Sequence, residues 1–357
     1  MDVVQMQAAL GRYLDLKPAD SKVIATYIFV NYYGDICAKS KTLNKEPTSI
    51  EDVPQWTFGV ADDIQNSDAT LVPVALFRDP FLRGQHKLVV CDCFRAGEPY
   101  GPNNREACRR VMEMCAEHQV QVGMEQEFYI LDLDQRPYRW PKAGRPEKDV
   151  VSLVYLYGVG ADRVYGRAVS DAHYLACLYA GVAVCGTNAE CVPAQWEFQV
   201  GPCEGVAIGD HMIAARYILT RCAEDFGVCV TFDPLPVQGP WAGSGCHVNF
   251  STAATRAEGG ISAIHTAIEK LSRRVKEHLA AYDPHEGADN ARRLATGFLC
   301  PKLDTFTWGV SDRSSTLRIP RSVAEAGRGY LEDRRPSSNC NPYDVARVMA
   351  ETICLDQ

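Results

Sequence analysis

The chain has 357 residues, 46% hydrophobic and 23% charged, a balance too apolar for a disordered protein and sufficient for one or two buried cores. Its 45 acidic against 37 basic residues give a formal net charge of −8, without the basic footprint that nucleic-acid binding requires. No apolar run reaches the roughly 18–20 residues that span a bilayer, and Met1 to Met6 lacks a basic stretch followed by an apolar one, so a cytoplasmic protein with no membrane partner is expected.

In chain order, the β-branched runs Val23 to Tyr33, Thr70 to Arg78 and Lys87 to Phe94, separated by Gly, Pro and Asn/Asp pieces, predict a small sheet. The fifteen cysteines are odd in number and form no C-x-x-C pair, which argues against a disulfide framework or zinc module. Cys91 and Cys93 share one face of a strand and read as small buried thiols. Glu98 to Asn104 is rich in Pro, Gly and Asn and predicts a domain boundary, giving domains 1–104 and 105–357. Helical spacing follows at Arg105–Gln119, Val169–Val184, Gly209–Phe226 and Gly260–Ala281, with short strands between them. The fold class expected is α+β.

Side chains of a strand alternate faces, so residues two apart look into the same space. Five segments use that spacing for polar groups while their other face is bulky and apolar: Glu125 and Glu127; Glu197 and Gln199; His247, Asn249 and Ser251; Thr316 and Arg318; and Tyr330, Glu332 and Arg334. A solvated face explains any one of these. Together they mix carboxylates, one imidazole and arginines, groups rarely buried unless paired or bound to metal, and so predict a shared polar cavity. Clustered carboxylates repel one another unless a cation neutralises them; Mg²⁺ favours such oxygen donors, and Mn²⁺ also accepts an imidazole. With guanidinium groups suited to phosphate and carboxylate, the pattern points to nucleotide-dependent activation of a carboxylic acid. No G-x-x-x-x-G-K-[ST] segment is present, so a P-loop is not the means.

Longer motifs carry a resemblance: Leu71 to Phe81 (LVPVALFRDPF), Gly158 to Arg163 with Tyr165-Gly166-Arg167, Gly186-Thr187-Asn188-Ala189-Glu190, Pro193 to Pro202, Asp289 to Leu294 (DNARRL) and Glu332 to Ser337 (EDRRPS). In these the chain resembles the eukaryotic-type glutamine synthetase family from about Tyr27 to Pro342. The resemblance implies a small N-terminal β-grasp domain, then a catalytic domain with an antiparallel sheet and helices, self-associated into rings, as a decamer or a pentamer. It implies phosphorylation of glutamate by ATP with two or three Mg²⁺ or Mn²⁺ ions, and attack of ammonia on the acyl phosphate. By matching motifs, Glu127, Glu190 and Glu197 hold one ion and Glu125, His247 and Glu332 another. ATP lies against Glu197, Gln199, Pro202, Asn249, Ser251, Arg318 and Tyr330. Trp241, Arg292 or Arg293, Arg313 and Arg334 surround glutamate, and Arg293, Arg313, Arg318 and Arg334 form the catalytic set.

Some residues depart from the family pattern. The family's Asn-Phe-Asp-Gly-Ser-Ser, whose Asp serves ammonium, is replaced by a shorter segment around Gly59, with Asp62 or Asp63 as substitutes. The flap Gly-Phe-His-Glu-Thr is Gly297-Phe298-Leu299-Cys300-Pro301, so Leu299 and Cys300 stand for His and Glu; Cys300 reads as a packed thiol. Ala242 stands for an Asn, and Glu147 to Tyr157 is altered. A site without these carboxylates attracts and deprotonates ammonium poorly. The leading expectation is therefore an ATP-dependent ligase joining glutamate or a related acid to an organic amine. Two alternatives stand beside it: a true glutamine synthetase with a rebuilt ammonium site, and an inactive homologue with a structural or regulatory role.

Overall fold

The computed structural model describes residues 10–11, 13–16, 18–60, 67–101, 104–143, 153–239, 241–295 and 305–357. Its first part is a mixed sheet of β1 (Val23–Val30), β2 (Ile36–Leu43), β3 (Trp56–Gly59), β4 (Asp68–Arg78), β5 (Lys87–Arg95) and β6 (Glu98–Pro99). The order is β2-β1-β5-β4-β3, with β6 on β5; β1 and β5 run parallel and the other pairs antiparallel. The stretch expected as a boundary thus opens with a strand that pairs back onto β5.

Alternation along β5 explains how this sheet is used. Val89, Cys91 and Cys93 enter a small core with Tyr27, Phe29 and Leu71, whereas Leu88 and Val90 join Ile28 and Phe77 in the main core of the chain. The Cys91 and Cys93 thiols are buried as expected, and burial raises both pKa values, that of Cys93 to about 12. All fourteen described cysteines are free.

The second sheet contains β7 (Gln121–Leu131), β8 (Val184–Ala189), β9 (Gln195–Glu204), β10 (Cys229–Thr231), β11 (Cys246–Ser251), β12 (Trp308–Val310), β13 (Leu317–Ile319) and β14 (Leu331–Asp333). Its order is β12-β13-β14-β11-β7-β9-β8, with β10 on β7. It is antiparallel except for the parallel pair β12–β13. One face carries Phe128, Ile130, Trp196, Phe198, Val248, Phe250, Leu317 and Leu331 into the main core. The helices are α1 (Arg105–Met114), α2 (Arg167–Ala180), α3 (Ala207–Asp225), α4 (Ala253–Arg256), α5 (Ile261–Arg273), α6 (Val275–Ala281), α7 (Ala288–Leu294), α8 (Arg321–Ala326) and α9 (Pro342–Ala350). Buried residues from Ile208 to Ala223 of α3, and from Tyr343 to Ala350 of α9, fill that core.

Three expectations need correction. The single helix 260–281 is two, broken at Arg274 (φ −124°, ψ 33°); the break re-aims α6 so that His278 bonds Tyr282 (2.7 Å) and Thr352 (2.9 Å). The strand expected over 315–321 spans three residues, because Pro320 cannot continue the ladder and leads into α8. Strands β2 and β8, with their polar and small residues, carry little strand signal and were not expected.

Candidate functional site

Register on the second sheet builds the site. Glu127 on β7 lies opposite Glu197 on β9; Glu125 lies opposite Gln199 on β9 and His247 on β11. Asn188 on β8 faces Glu197, Asn249 faces Glu332 on β14, and Arg318 on β13 also pairs with Glu332. Directly opposed residues have Cβ atoms about 5 Å apart, so the polar face becomes one continuous patch of interacting groups. A slip of one residue in any strand would turn its polar set into the core.

A cavity of about 200 Å³ opens on this face. It is lined by Glu125, Glu127, Glu190, Glu197, Gln199, His247, Arg293, Arg313, Arg318 and Arg334. Glu332 lies beneath, only 1% exposed, with one carboxylate oxygen accepting from Arg318 and the other from Arg334 at 2.7 Å. His247 Nδ1 is 3.4 Å from Glu125 and 3.7 Å from Glu332. Asn249 donates to Glu125 (2.9 Å), Gln199 to Glu197 (2.8 Å), Asn188 to Glu190 (2.9 Å) and the Gly245 N–H to Glu127 (2.7 Å). These donors fix each carboxylate in place.

Burial and mutual repulsion dominate the electrostatics of the carboxylates. Burial, then repulsion from Glu190, raises the Glu127 pKa to about 8. Burial, then Glu190, Glu125 and Glu127, lifts that of Glu197 well above the usual range, and burial raises that of Glu190. Burial drives the His247 pKa well below its usual value, leaving a neutral imidazole able to act as a ligand. One donor atom each from Glu125, His247 and Glu332 lie within 4.8 Å of one another, the set expected from sequence. The second such group is Glu127, Glu197 and His247; Glu190 instead stands beside Glu127 and Glu197 electrostatically. Oxygen donors with one imidazole suit Mg²⁺ or Mn²⁺.

The arginines form the opposite charge. Arg293 is buried, and its guanidinium donates to Asn290 Oδ1 and to the Arg334, Arg335 and Pro336 carbonyls at 3.1–3.2 Å. Glycine makes room for it: a Cβ at Gly243 would meet Arg293 Cγ at 2.7 Å, and one at Gly245 would meet Arg293 Nη2 at 2.5 Å. The buried Nε–H groups of Arg318 and Arg334 have no hydrogen-bond partner among the described residues.

A second, more apolar cleft adjoins the first and shares Glu125 and Gln199 with it. Val200, Pro202, Asn249, Ser251 and Tyr330 line it, so most of the expected nucleotide set stands together. Three expected residues lie elsewhere. Arg292 points away from the cavity lining and pairs with Asp289 (2.8 Å) and Asp233 (3.4 Å), which leaves Arg293 as the inward arginine of the two. Trp241 is buried against Trp140 at 4.8 Å, and Gly59 ends β3 opposite Asp68. Asp62, Asp63, Leu299 and Cys300 fall outside the described residues. Sequence reasoning missed Asn188, Gln195, Leu153, Leu156, Tyr157, Arg256 and Cys185. Asn188 stands two residues before Glu190 and becomes legible once β8 is recognised as a strand.

This sheet sets two groups of candidate divalent-cation ligands beside a cluster of arginines suited to an anion, an arrangement that fits a phosphate-handling enzyme. The model of the glutamine synthetase catalytic domain matches residues 102–353. Human glutamine synthetase is 48% identical over 351 residues, covering 97% of this chain and 93% of that protein. Glutamine synthetase 1, mitochondrial, of Drosophila melanogaster is 47% identical over 358 residues (98% and 89%), and Xenopus laevis glutamine synthetase 46% over 352 (97% and 89%). The chain belongs to the glutamine synthetase family, a family of ATP-dependent carbon–nitrogen ligases.

Proposed function

We propose that this chain is a glutamate–ammonia ligase that forms glutamine at the expense of ATP. The observation carrying this reading is the convergence of Glu125, Glu127, Glu190, Glu197, His247 and Glu332 with Arg293, Arg313, Arg318 and Arg334 on one sheet face, beside the cleft of Pro202, Asn249, Ser251 and Tyr330. The likeness to glutamine synthetases supports ammonia, and not an organic amine alone, as nucleophile.

In this reading Glu125, His247 and Glu332 hold one Mg²⁺ or Mn²⁺ ion, and Glu127, Glu190 and Glu197 a second. Bound there, the ions neutralise phosphate charge. Tyr330, Pro202, Asn249 and Ser251 seat the nucleotide with its phosphates toward Glu125 and Gln199. Arg293, Arg313 and Arg334 hold glutamate with its side-chain carboxylate toward the terminal phosphate. A carboxylate oxygen attacks that phosphorus, ADP leaves, and Arg318 stabilises the developing charge. Ammonia then displaces phosphate from the acyl carbon. We further propose two domains, 1–104 and 105–357, assembly into a decamer or pentamer, and a cytoplasmic location. Among the described residues no helix is long and apolar enough to cross a membrane. Light scattering and cell fractionation test assembly and location.

The deciding assay is glutamine formation from glutamate, ammonium, ATP and Mg²⁺, run beside hydroxamate formation with hydroxylamine. Glutamine at rates typical of enzymes supports the reading. Hydroxamate without glutamine overturns ammonia as the substrate while preserving acyl-phosphate chemistry, and neither product favours an inactive homologue.

A further inference from the structure

The strand that carries Glu332 is held from behind as well as from the cavity. Glu332 and Arg334 serve the cavity face, so alternation sends Asp333 and Arg335 to the other side of the sheet. There Asp333 accepts from Arg335 Nε–H (2.9 Å) and Nη2–H (2.6 Å) and from the Tyr282 hydroxyl (2.7 Å). Tyr282 caps α6 and grips the same stretch twice more. Its carbonyl accepts from Ser337 N–H (3.0 Å), and its ring lies under the Arg335 guanidinium at 5.4 Å. Arg334 thus sits on backbone fastened to one tyrosine on both sides, at Asp333 and at Ser337.

The tyrosine is the middle of a longer chain. His278, one turn earlier on α6, places Nδ1 2.7 Å from the Tyr282 hydroxyl and Nε2 2.9 Å from Thr352 Oγ1, in the turn Glu351–Leu355. Burial, and then the Arg335 charge, bring the His278 pKa down to about 3, so the ring is neutral and has a single N–H. Tyr282 gives its proton to Asp333, so His278 Nδ1–H donates to Tyr282 and Nε2 accepts from Thr352. Every donor runs one way, from Thr352 through His278 and Tyr282 to Asp333. All four residues are 0–2% exposed, and Met349 Sδ packs 3.2 Å from the same tyrosine hydroxyl. Losing any link leaves a buried polar group unpaired, so the chain specifies one arrangement. Packing alone does not call for it, because apolar residues would fill this core without desolvating hydroxyls, an imidazole and an ion pair.

We propose that Tyr282 is a positioning residue of the site: through Asp333 it sets where Glu332 and Arg334 stand, and His278 and Thr352 hold it in that setting. The inference rests on the ligase reading above, in which Glu332 is a metal ligand and Arg334 a glutamate contact. Tyr282 touches no reactant. Its effect is geometric, since a shift of about 1 Å in a ligand or clamp, far short of unfolding, costs about 100-fold in rate.

The test compares the full chain with Tyr282→Phe, Thr352→Val and Thr352→Ser. It reads Mn²⁺ affinity by calorimetry without nucleotide, kcat and KM for glutamate, and Tm, with all assays run well below the lowest Tm. Tyr282→Phe removes one hydroxyl and keeps the ring; Thr352→Val removes the far hydroxyl and keeps the side chain's shape. Both should weaken Mn²⁺ binding and lower kcat by about tenfold, the low end of losses for residues that support a metal ligand from behind. Thr352→Ser should restore both. A lowered Tm with native Mn²⁺ affinity and kcat in Tyr282→Phe and Thr352→Val overturns the inference, as do equal losses in Thr352→Ser and Thr352→Val. If Tyr282→Phe fails to fold, Thr352→Val against Thr352→Ser decides. No product from the native chain removes the ligase reading alone, because Mn²⁺ affinity still reads the chain from Thr352 to Asp333. No Mn²⁺ binding by the native chain overturns the inference.

Discussion

The cluster of buried carboxylates makes a quantitative prediction about pH and metal. Without a cation, Glu127 carries a pKa of about 8 in the folded chain, against about 4.5 for an ordinary glutamate. Between those values the folded state binds more protons than the unfolded state, so stability falls as pH rises, by about 1.4 kcal/mol per unit for one such group. From pH 6.5 to 8.0 the loss is about 2 kcal/mol. An unfolding entropy near 2.1 cal/mol/K per residue converts this to a fall of roughly 3 °C in Tm for a chain of this length. A bound divalent ion takes the place of the protons. With Mg²⁺ or Mn²⁺ at about 100 times its Kd the gain is about 2.7 kcal/mol, and it grows with pH as fewer protons must be displaced. Thermal unfolding followed by fluorescence, in EDTA and in excess metal at pH 6.5 and 8.0, reads both effects; Glu127→Gln should reduce the pH dependence in EDTA by removing one of the three raised carboxylates and relieving its repulsion of Glu197. A Tm in EDTA with the same pH dependence in the native chain and in Glu127→Gln, with a metal shift independent of pH, would refute the reasoning.

Glu332→Ala removes the carboxylate shared by Arg318, Arg334 and the His247 cluster, and should reduce ATP-dependent turnover by about 100-fold or more while lowering Tm, because two arginines lose a buried partner; steady-state kinetics with calorimetry check both. Gly245→Ala drives a methyl into Arg293 Nη2 and toward His247 Nε2 (3.1 Å), and should raise KM for glutamate and lower kcat while leaving secondary structure, read by circular dichroism, unchanged. Asp333→Asn breaks a fully buried pair with Arg335 (2.6 Å) behind the sheet and should cost about 3–5 kcal/mol, measured by denaturant unfolding. Cys185 is the exposed cysteine among those described and lines the cleft proposed for the nucleotide, so native-state maleimide labelling, mapped by peptide mass, should modify it before the other described thiols and slow when ATP is added.

The strand alternation of Glu125/Glu127, Glu197/Gln199, His247/Asn249/Ser251 and Tyr330/Glu332/Arg334 was legible in the chain, because a period of two places such residues on one face wherever the segment is extended. The small sheet and the buried Cys91 and Cys93 were legible for the same reason, and α1 to α3 within a few residues from apolar spacing near 3.6. Pairing partners were not. That Glu127 meets Glu197, and that Glu332 sits between Arg318 and Arg334, depends on hydrogen-bonded register between strands distant in sequence, which no local pattern encodes. The choice between adjacent arginines was equally tertiary: α7 turns Arg293 inward to the carbonyls of 334–336 and Arg292 outward to Asp289, a rotation of about 100° along the helix visible only once the helix is docked. Leu153, Leu156 and Tyr157 follow no helix or strand period, since Leu153 and Tyr157 take left-handed turn geometry, and only the folded chain brings them to the cavity. Residue chemistry thus set which groups had to be neutralised or buried, and long-range packing decided which of them meet.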